Sequence, residues 1–167
     1  MARCLIVANQ TLGGDALHDA VRERITRGDR EFYVLVPMTP IRQQTADWAG
    51  GFQDREGTSL DELVAVRRAM EQDEQLRAVA FDQERRRAEG RLGRMIDAIW
   101  AAGGQAEGEV ADADPVVAIV GALERESFDE IVISTLPRDL SRWLRMGVPD
   151  EVAEMTDAEV VTIEADA

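Results

Sequence analysis

Short apolar runs alternate with amphipathic stretches along the chain. Unbroken apolar runs occupy residues 4–8 and 32–36, and between them Leu17, Val21 and Ile25 recur at helical spacing. Apolar runs of this length, separated by helical segments, are typical of parallel strands whose sheet is covered on both faces. The pattern therefore predicts two buried strands joined by a helix.

The second half of the chain repeats this alternation. Residues 105–111 predict a weak third strand, residues 131–133 a fourth and residues 160–163 a fifth. Amphipathic stretches separate these strands, and the first of them opens with Asp114 before Pro115, a frequent pair at the start of a helix. Strands that alternate with helices predict an α/β fold, a five-stranded parallel sheet with helices on both faces.

One long segment does not fit the simple alternation. Residues 37–58 show no period and contain several prolines and glycines, which predicts a long loop. Residues 59–101 carry an apolar stripe that thins in its middle. One straight helix of that length would span roughly 65 Å, so we expect two helices with a break near residues 71–74. The loop and the first helix form a predicted helical insertion, residues 41–80, in a single domain that covers residues 1–167.

Several features of this segment leave alternatives open. Ser59 and Glu62 have the spacing of a capping box. Trp48 and Phe52 are apolar residues in a polar loop, where they form a lid, contact a partner or pack the insertion onto the body. The arginines at 85–87 form either an anion site or a solvated helix face, since acidic residues flank them at pairing distance.

The composition excludes several classes of function. Asp and Glu number 33 against 19 basic residues, all of them arginine, and the net charge of −14 argues against a nucleic-acid partner or an anionic membrane. No apolar run approaches the about 20 residues of a membrane span. Cys4 is the only cysteine and His18 the only histidine, which argues against disulfides, zinc clusters and a serine–histidine triad. No signal peptide is evident, so a cytoplasmic location is expected.

The predicted sheet indicates where a ligand would bind. In sheets of this kind, ligands bind beyond the carboxyl ends of the strands, where the strand order reverses. Those ends are residues 9–15, 36–40 and 134–137. Candidate ligand contacts are therefore expected in these three loops.

Four segments resemble the universal stress protein family. They are residues 4–10 (CLIVANQ) before a Gly-Gly turn, residues 112–115 (DADP), residues 128–133 (FDEIVI) and residues 159–163 (EVVTI). The resemblance covers most of the chain outside residues 41–80. It implies an adenine nucleotide alpha hydrolase-like, Rossmann-like fold and a homodimer formed through the last strand.

The ATP-binding members of that family carry three spaced glycines followed by a small hydroxyl residue. At the matching positions this chain has Ser134, Pro137, Gly147 and then Val148, and the family's aspartate after the first strand is Asn9. Glycine lets backbone amides approach a phosphate, whereas Pro137 removes one amide donor and Val148 removes a hydroxyl. The resemblance thus implies a phosphate loop that has lost most of its contacts.

The predicted function follows from these departures. Asp150 and Glu151 also lie where the family's phosphates would be, and they repel a triphosphate. We expect a non-catalytic binding or regulatory domain that does not bind ATP in the family's manner; the alternative is a domain that binds ATP or AMP through an altered loop. The candidate ligand-binding residues are Asn9, Gln10, Thr11, Val36, Ser134, Thr135, Pro137, Arg138, Gly147 and Val148.

Two further hypotheses concern charged side chains. Arg138, Arg142 and Arg145 either hold a small anionic ligand or pair with Asp139, Asp150 and Glu151. An enzyme on the same sheet would depend on carboxylates such as Asp15, Asp112 and Asp114, but their spacing does not bring them into one site. Trp143, at helical spacing, is predicted to lie in the core.

Overall fold

The computed structural model describes residues 2–29, 31–38, 60–111 and 114–165. Trp48, Phe52, Ser59 and Asp112, which carried hypotheses above, lie outside the described residues.

The predicted alternation of strands and helices is confirmed. All four strand pairs are parallel, and the strand order is β3-β2-β1-β4-β5. The elements are β1 (Arg3–Val7), α1 (Asp15–Arg27), β2 (Glu31–Pro37), α2 (Leu60–Ala101), β3 (Gln105–Ala111), α3 (Pro115–Arg125), β4 (Glu130–Thr135), α4 (Arg142–Arg145), α5 (Val148–Met155) and β5 (Glu159–Glu164).

Successive residues of a strand point to opposite sides of the sheet, and in β1, β2 and β4 both sets are largely buried. Helices therefore cover both faces. On one face, a buried cluster joins the sheet to α3 and α5; its members include Leu5, Val7, Leu35, Ile119, Ile131, Ile133, Val148 and Val152. On the other face, Ile25 of α1 and Ile99 of α2 meet Phe32 around Gly104. A side chain at Gly108 would clash with the Val34 carbonyl oxygen and with Leu92 of α2, so glycine permits this close packing.

Local capping signals mark the end of α1 and the start of α3. Gly28 closes α1 in the left-handed conformation, with φ of 107°. Asp114 caps α3, since its Oδ1 accepts the Val117 N–H at 3.0 Å, and Pro115 follows at the first helical position.

The expectation of two helices in residues 59–101 is wrong. Helix α2 is continuous for 42 residues, from Leu60 to Ala101. No proline interrupts it, and the expected break is rich in strong helix formers. Arg67 pairs with Glu71 at 3.2 Å, and Arg77 pairs with Asp73, so ion pairs at helical spacing flank the predicted break.

The chain divides by its internal contacts into two compact units. One consists of Met1–Thr39 with Arg87–Ala167, and the other of Pro40–Arg86. Within the second unit, residues 60–86 of α2 are described. There Arg86 pairs with Asp82 at 3.1 Å with both side chains largely exposed, which favours a solvated helix face for the arginine run. No helix in the described part of the chain is long and apolar enough to cross a membrane.

A buried ion pair lies at the amino ends of the central strands. Arg24 of α1 binds both carboxylate oxygens of Glu130, with Nη2 3.1 Å from Oε2. The Cys4 thiol lies beside this pair, and burial, with the Glu130 charge, raises its pKa to about 12. Cys4 is therefore a buried thiol that stays protonated at neutral pH.

Candidate ligand-binding cleft

The strand order creates a crevice at the carboxyl ends of β1 and β4. These strands are neighbours, and the chain leads from β1 to β2 on one side and from β4 to β5 on the other. Because the two connections diverge, no crossover within the described residues covers the gap between the strand ends.

A cleft of about 270 Å³ occupies this position. Its described lining residues contain no Asp or Glu, although 33 of the 167 residues of the chain are acidic. They also contain no His or Cys. The lining residues are Asn9, Gln10, Thr11, Pro37, Ser134, Thr135, Leu136, Leu140, Ser141, Arg142 and Trp143.

Buried hydroxyl groups form the floor of the cleft. Thr11 Oγ1 and Ser134 Oγ are hydrogen-bonded at 2.7 Å, and the two residues are 6% and 2% exposed. The Thr135 hydroxyl donates to the Leu136 carbonyl at 2.9 Å. These buried groups have partners within the protein, so the floor is stable without a ligand.

Asn9 is held between two elements. Its Nδ2 donates to the Pro37 carbonyl at 3.1 Å, and its Oδ1 accepts from Nη1 of Arg91, in α2, at 2.9 Å. The side chain is only half-buried and lines the cleft. Asn9 therefore presents a fixed amide group to any ligand that enters.

One wall is formed by the turn after β4 and the short helix α4. The Pro137 carbonyl accepts the N–H groups of Leu140 and Ser141, and the Ser141 hydroxyl caps α4 by accepting the Leu144 N–H at 3.2 Å. This turn places Arg142 and Trp143 on the cleft. Trp143 also packs against the core cluster under α3 and α5, as its helical spacing predicts.

Comparison with known proteins rests on structure. No family model matches the sequence, and no curated protein matches it. A universal stress protein from Archaeoglobus fulgidus is 14% identical with a TM-score of 0.53, over 98% of this chain and 93% of that one. A universal stress protein from Archaeoglobus fulgidus in complex with dAMP matches with a TM-score of 0.51 and 14% identity, over 98% of both chains. A universal stress protein in complex with cAMP is 16% identical with a TM-score of 0.55, over 99% of this chain and 98% of that one.

The fold is that of the universal stress proteins.

The structure brings together half of the predicted site residues. Asn9, Gln10, Thr11, Ser134 and Thr135 all line the cleft. The remaining five lie elsewhere, because the segments that carry them turn away from it.

Val36, Pro137 and Val148 occupy structural positions. Val36 is fully buried within β2, and the next residue, Pro37, lines the cleft instead. Pro137 forms the turn through its carbonyl. Val148, the first residue of α5, is fully buried in the core, so the position that the resemblance assigns to the family's hydroxyl residue is a core position here.

Arg138 and Gly147 line a second cleft, of about 280 Å³, together with Leu144, Arg145, Pro149, Asp150 and Thr162. Gly147 adopts φ of 71° and precedes α5, whose first turn carries Asp150 and Glu151. Arg138 lies 3.9 Å from Glu164, a partner that was not expected. This contact is exposed, so it contributes little to stability.

Six lining residues were missing from the list of candidate residues, although Arg142 had been named as a possible anion partner: Pro37, Leu136, Leu140, Ser141, Arg142 and Trp143. A signal was present, since Ser141 stands at the start of an amphipathic turn and so predicts a helix start there. Only the tertiary structure shows which side of that turn faces the strand ends.

The groups with shifted pKa values do not line this cleft. Besides Cys4 and Arg24, they form one cluster in which Arg125 lowers the pKa of the Glu109 carboxyl, while burial raises the pKa of Tyr33. No cluster of metal-ligating residues occurs among the residues that the structure describes. The cleft residues can therefore hold a ligand through hydrogen bonds, a cation and an aromatic ring, but none of them offers a general base.

Proposed function

We propose that this protein is a divergent universal stress protein that acts as a binding or regulatory domain rather than an enzyme. Its ligand is a small molecule with a planar part and one anionic group. One observation carries the proposal. The described lining residues of the cleft include Arg142 and Trp143 but no carboxylate, although the chain has a net charge of −14. Arginine binds carboxylates and phosphates through two parallel hydrogen bonds, and an indole ring stacks on planar groups.

A triphosphate fits this site poorly. Pro137 has no N–H to offer a phosphate, and Val148 is enclosed in the core. Asp150, which lines the second cleft, and Glu151 lie in the first turn of α5. A phosphate chain that extended there from the first cleft would meet their charges, and each costs about 1 kcal/mol at 4 Å in water. The cleft volume of about 270 Å³ also lies just below the roughly 300–1,000 Å³ of common ligand pockets.

Nucleotide binding through an altered loop is the alternative, and the comparisons favour a small nucleotide. The related structures hold dAMP and cAMP, which carry one phosphate each. AMP is planar in part and carries one phosphate, so it tests both the small anionic ligand and the altered nucleotide loop. ATP, with three phosphates, is the comparison ligand.

Thermal denaturation with AMP, cAMP and ATP tests the proposal. At tenfold above its dissociation constant, a ligand stabilises by about 1.4 kcal/mol, which raises Tm by about 3–5 °C for a chain of this size. We expect AMP to give such a shift at millimolar concentration and ATP to give a smaller one. Absence of any shift with AMP and cAMP would falsify nucleotide binding.

Two matched variants locate the site. Arg142→Gln and Arg145→Gln remove the same charge from the same short helix, but only Arg142 lines the cleft. The AMP shift should disappear in Arg142→Gln and persist in Arg145→Gln. Equal losses would point to a general charge effect.

The proposal also includes a cytoplasmic location and one domain that covers residues 1–167, with residues 41–80 as an insertion.

A homodimer through β5 is a further part of the proposal. Strand β5 pairs with β4 along one edge, and no described strand covers its other edge, where Val161 and Ile163 are half-buried. An uncovered edge can pair with a second copy. Val161→Glu should give monomers in light scattering, whereas Val117→Glu, at an exposed position of α3, should not. A dimeric Val161→Glu variant would place the interface elsewhere.

A further inference from the structure

The Asn9 side chain is bonded at both ends of its amide group. Nδ2 donates to the Pro37 carbonyl at 3.1 Å, and Oδ1 accepts from the Arg91 guanidinium at 2.9 Å. An amide oxygen can only accept and an amide nitrogen can only donate. The two bonds are therefore compatible with one of the two orientations of the amide.

The reversed orientation loses both bonds. It would turn the NH₂ group toward the Arg91 guanidinium, which has no acceptor, and the oxygen toward the Pro37 carbonyl, which has no donor. Arg91 contributes more to this choice than a neutral donor would, because hydrogen bonds to an ionised group are the stronger ones. Arg91 is half-buried and is carried by α2, a regular helix that packs on the sheet at Leu92 and Met95.

The fixed amide gives the cleft a defined polarity at the end of β1. Nδ2 retains one N–H beyond the bond to Pro37, whereas Oδ1 lies against a positive charge. A ligand donor near Oδ1 would compete with the guanidinium, but a ligand acceptor gains both the free N–H and the attraction of Arg91. The described cleft residues add no carboxylate that would oppose this preference.

We propose that Arg91 is a positioning residue that fixes the orientation of the Asn9 amide, so that the cleft recognises its ligand there through a hydrogen-bond acceptor such as a phosphate, carboxylate or carbonyl oxygen. This inference rests on the proposed binding function of the cleft. Arg91 lies outside the cleft lining, and through Asn9 its charge selects an acceptor atom of the ligand.

The first experiment needs no ligand. Asn9→Asp places a carboxyl group where Arg91 donates, and its pKa is measured by carbon-detected NMR titration. We expect a pKa at least one unit below the ordinary value of about 3.9, and a return toward that value in the double variant Asn9→Asp with Arg91→Gln. Asn9→Asp with Arg94→Gln is the control, since Arg94 is an exposed arginine of the same helix. Equal pKa values in the first two variants overturn the positioning role.

The second experiment measures the binding of AMP as the probe in the folded variants. Arg91→Gln should weaken AMP binding about fivefold or more, Arg94→Gln should change it less than twofold, and Arg91→Lys should recover part of the loss. Asn9→Asp should weaken AMP binding more than Arg91→Gln does. Because the two residues act as a pair, the change in AMP affinity caused by Arg91→Gln should differ between the natural protein and the Asn9→Asp variant.

The outcomes separate the two proposals. AMP binding that is unaffected by Arg91→Gln, or improved by Asn9→Asp, overturns the acceptor preference even though the cleft binds a nucleotide. Failure of the natural protein to bind AMP contradicts nucleotide binding and leaves the pKa experiment to decide the role of Arg91.

Discussion

The two clefts on either side of the β4–α5 connection are similar in size and opposite in construction. The first, at about 270 Å³, has a floor of buried hydroxyl groups that already have partners. The second, at about 280 Å³, is lined by exposed arginines, by Gly147 and by Asp150. The fold places both cavities near the carboxyl end of the sheet, but the side chains give each its own chemistry. The resemblance to the universal stress proteins places Ser134 and Gly147 in one phosphate loop. In this structure Ser134 lines the first cleft and Gly147 lines the second.

The largest expected effect concerns Val148, where the family pattern has a hydroxyl. Val148→Ser should destabilise the protein by about 2–4 kcal/mol, because it leaves a cavity and buries a hydroxyl group in an apolar cluster. Val117→Ser, at a position 58% exposed, should change stability by less than about 0.5 kcal/mol. Urea denaturation measures both. If Val148→Ser lost as little stability as Val117→Ser, residue 148 would not be part of the core and a role in ligand binding would be favoured.

The floor of the first cleft should respond less strongly. Ser134→Ala leaves the buried Thr11 hydroxyl without its partner at 2.7 Å, which should cost about 1–3 kcal/mol. Adding Thr11→Val to Ser134→Ala removes the orphaned hydroxyl and should recover part of the loss. A double variant as unstable as the sum of the two single ones would show that the hydroxyls are not coupled.

We expect the acidic start of α5 to repel any triphosphate that reaches the second cleft. Asp150→Asn removes one repulsive charge, which should strengthen ATP binding by about fivefold, since one charge at 4 Å is worth about 1 kcal/mol in water. Glu154→Gln, farther along α5, is the matched control. NMR titration with ATP compares the two, and an equal response would mean that net charge, rather than position, excludes ATP.

The smallest effect belongs to the exposed arginine of the second cleft. Arg138 is 82% exposed and lies 3.9 Å from Glu164. Arg138→Gln should therefore change the free energy of unfolding by less than about 0.5 kcal/mol in urea denaturation. A larger loss would indicate that the second cleft has a structural role like that of the first.

The sequence predicted the sheet because its signals are local. Apolar runs such as residues 4–8 and the Asp114-Pro115 start of α3 specify an element without reference to the rest of the chain. The break expected in α2 rested on the size of an ordinary domain, which does not limit the length of a helix. Local helix propensity and ion pairs such as Arg67–Glu71 decide that point instead.

The candidate site was only half predicted, for a geometric reason. Loop residues such as Asn9 and Ser134 follow the strand ends directly, so strand prediction places them. Arg91 comes from a helix 82 positions away in the chain, and its contact with Asn9 depends on how that helix packs on the sheet. The contact between Arg91 and Asn9 cannot be predicted from residue spacing or from composition.

The lone thiol beside the Arg24–Glu130 pair has a practical consequence. With a pKa of about 12 and a side chain 2% exposed, Cys4 carries almost no thiolate at neutral pH and does not meet reagents from solvent. The natural chain is therefore a ready background for single-cysteine labelling. A cysteine introduced at an exposed position would be the one group to take up a fluorophore or spin label, so the signal would report on that position alone.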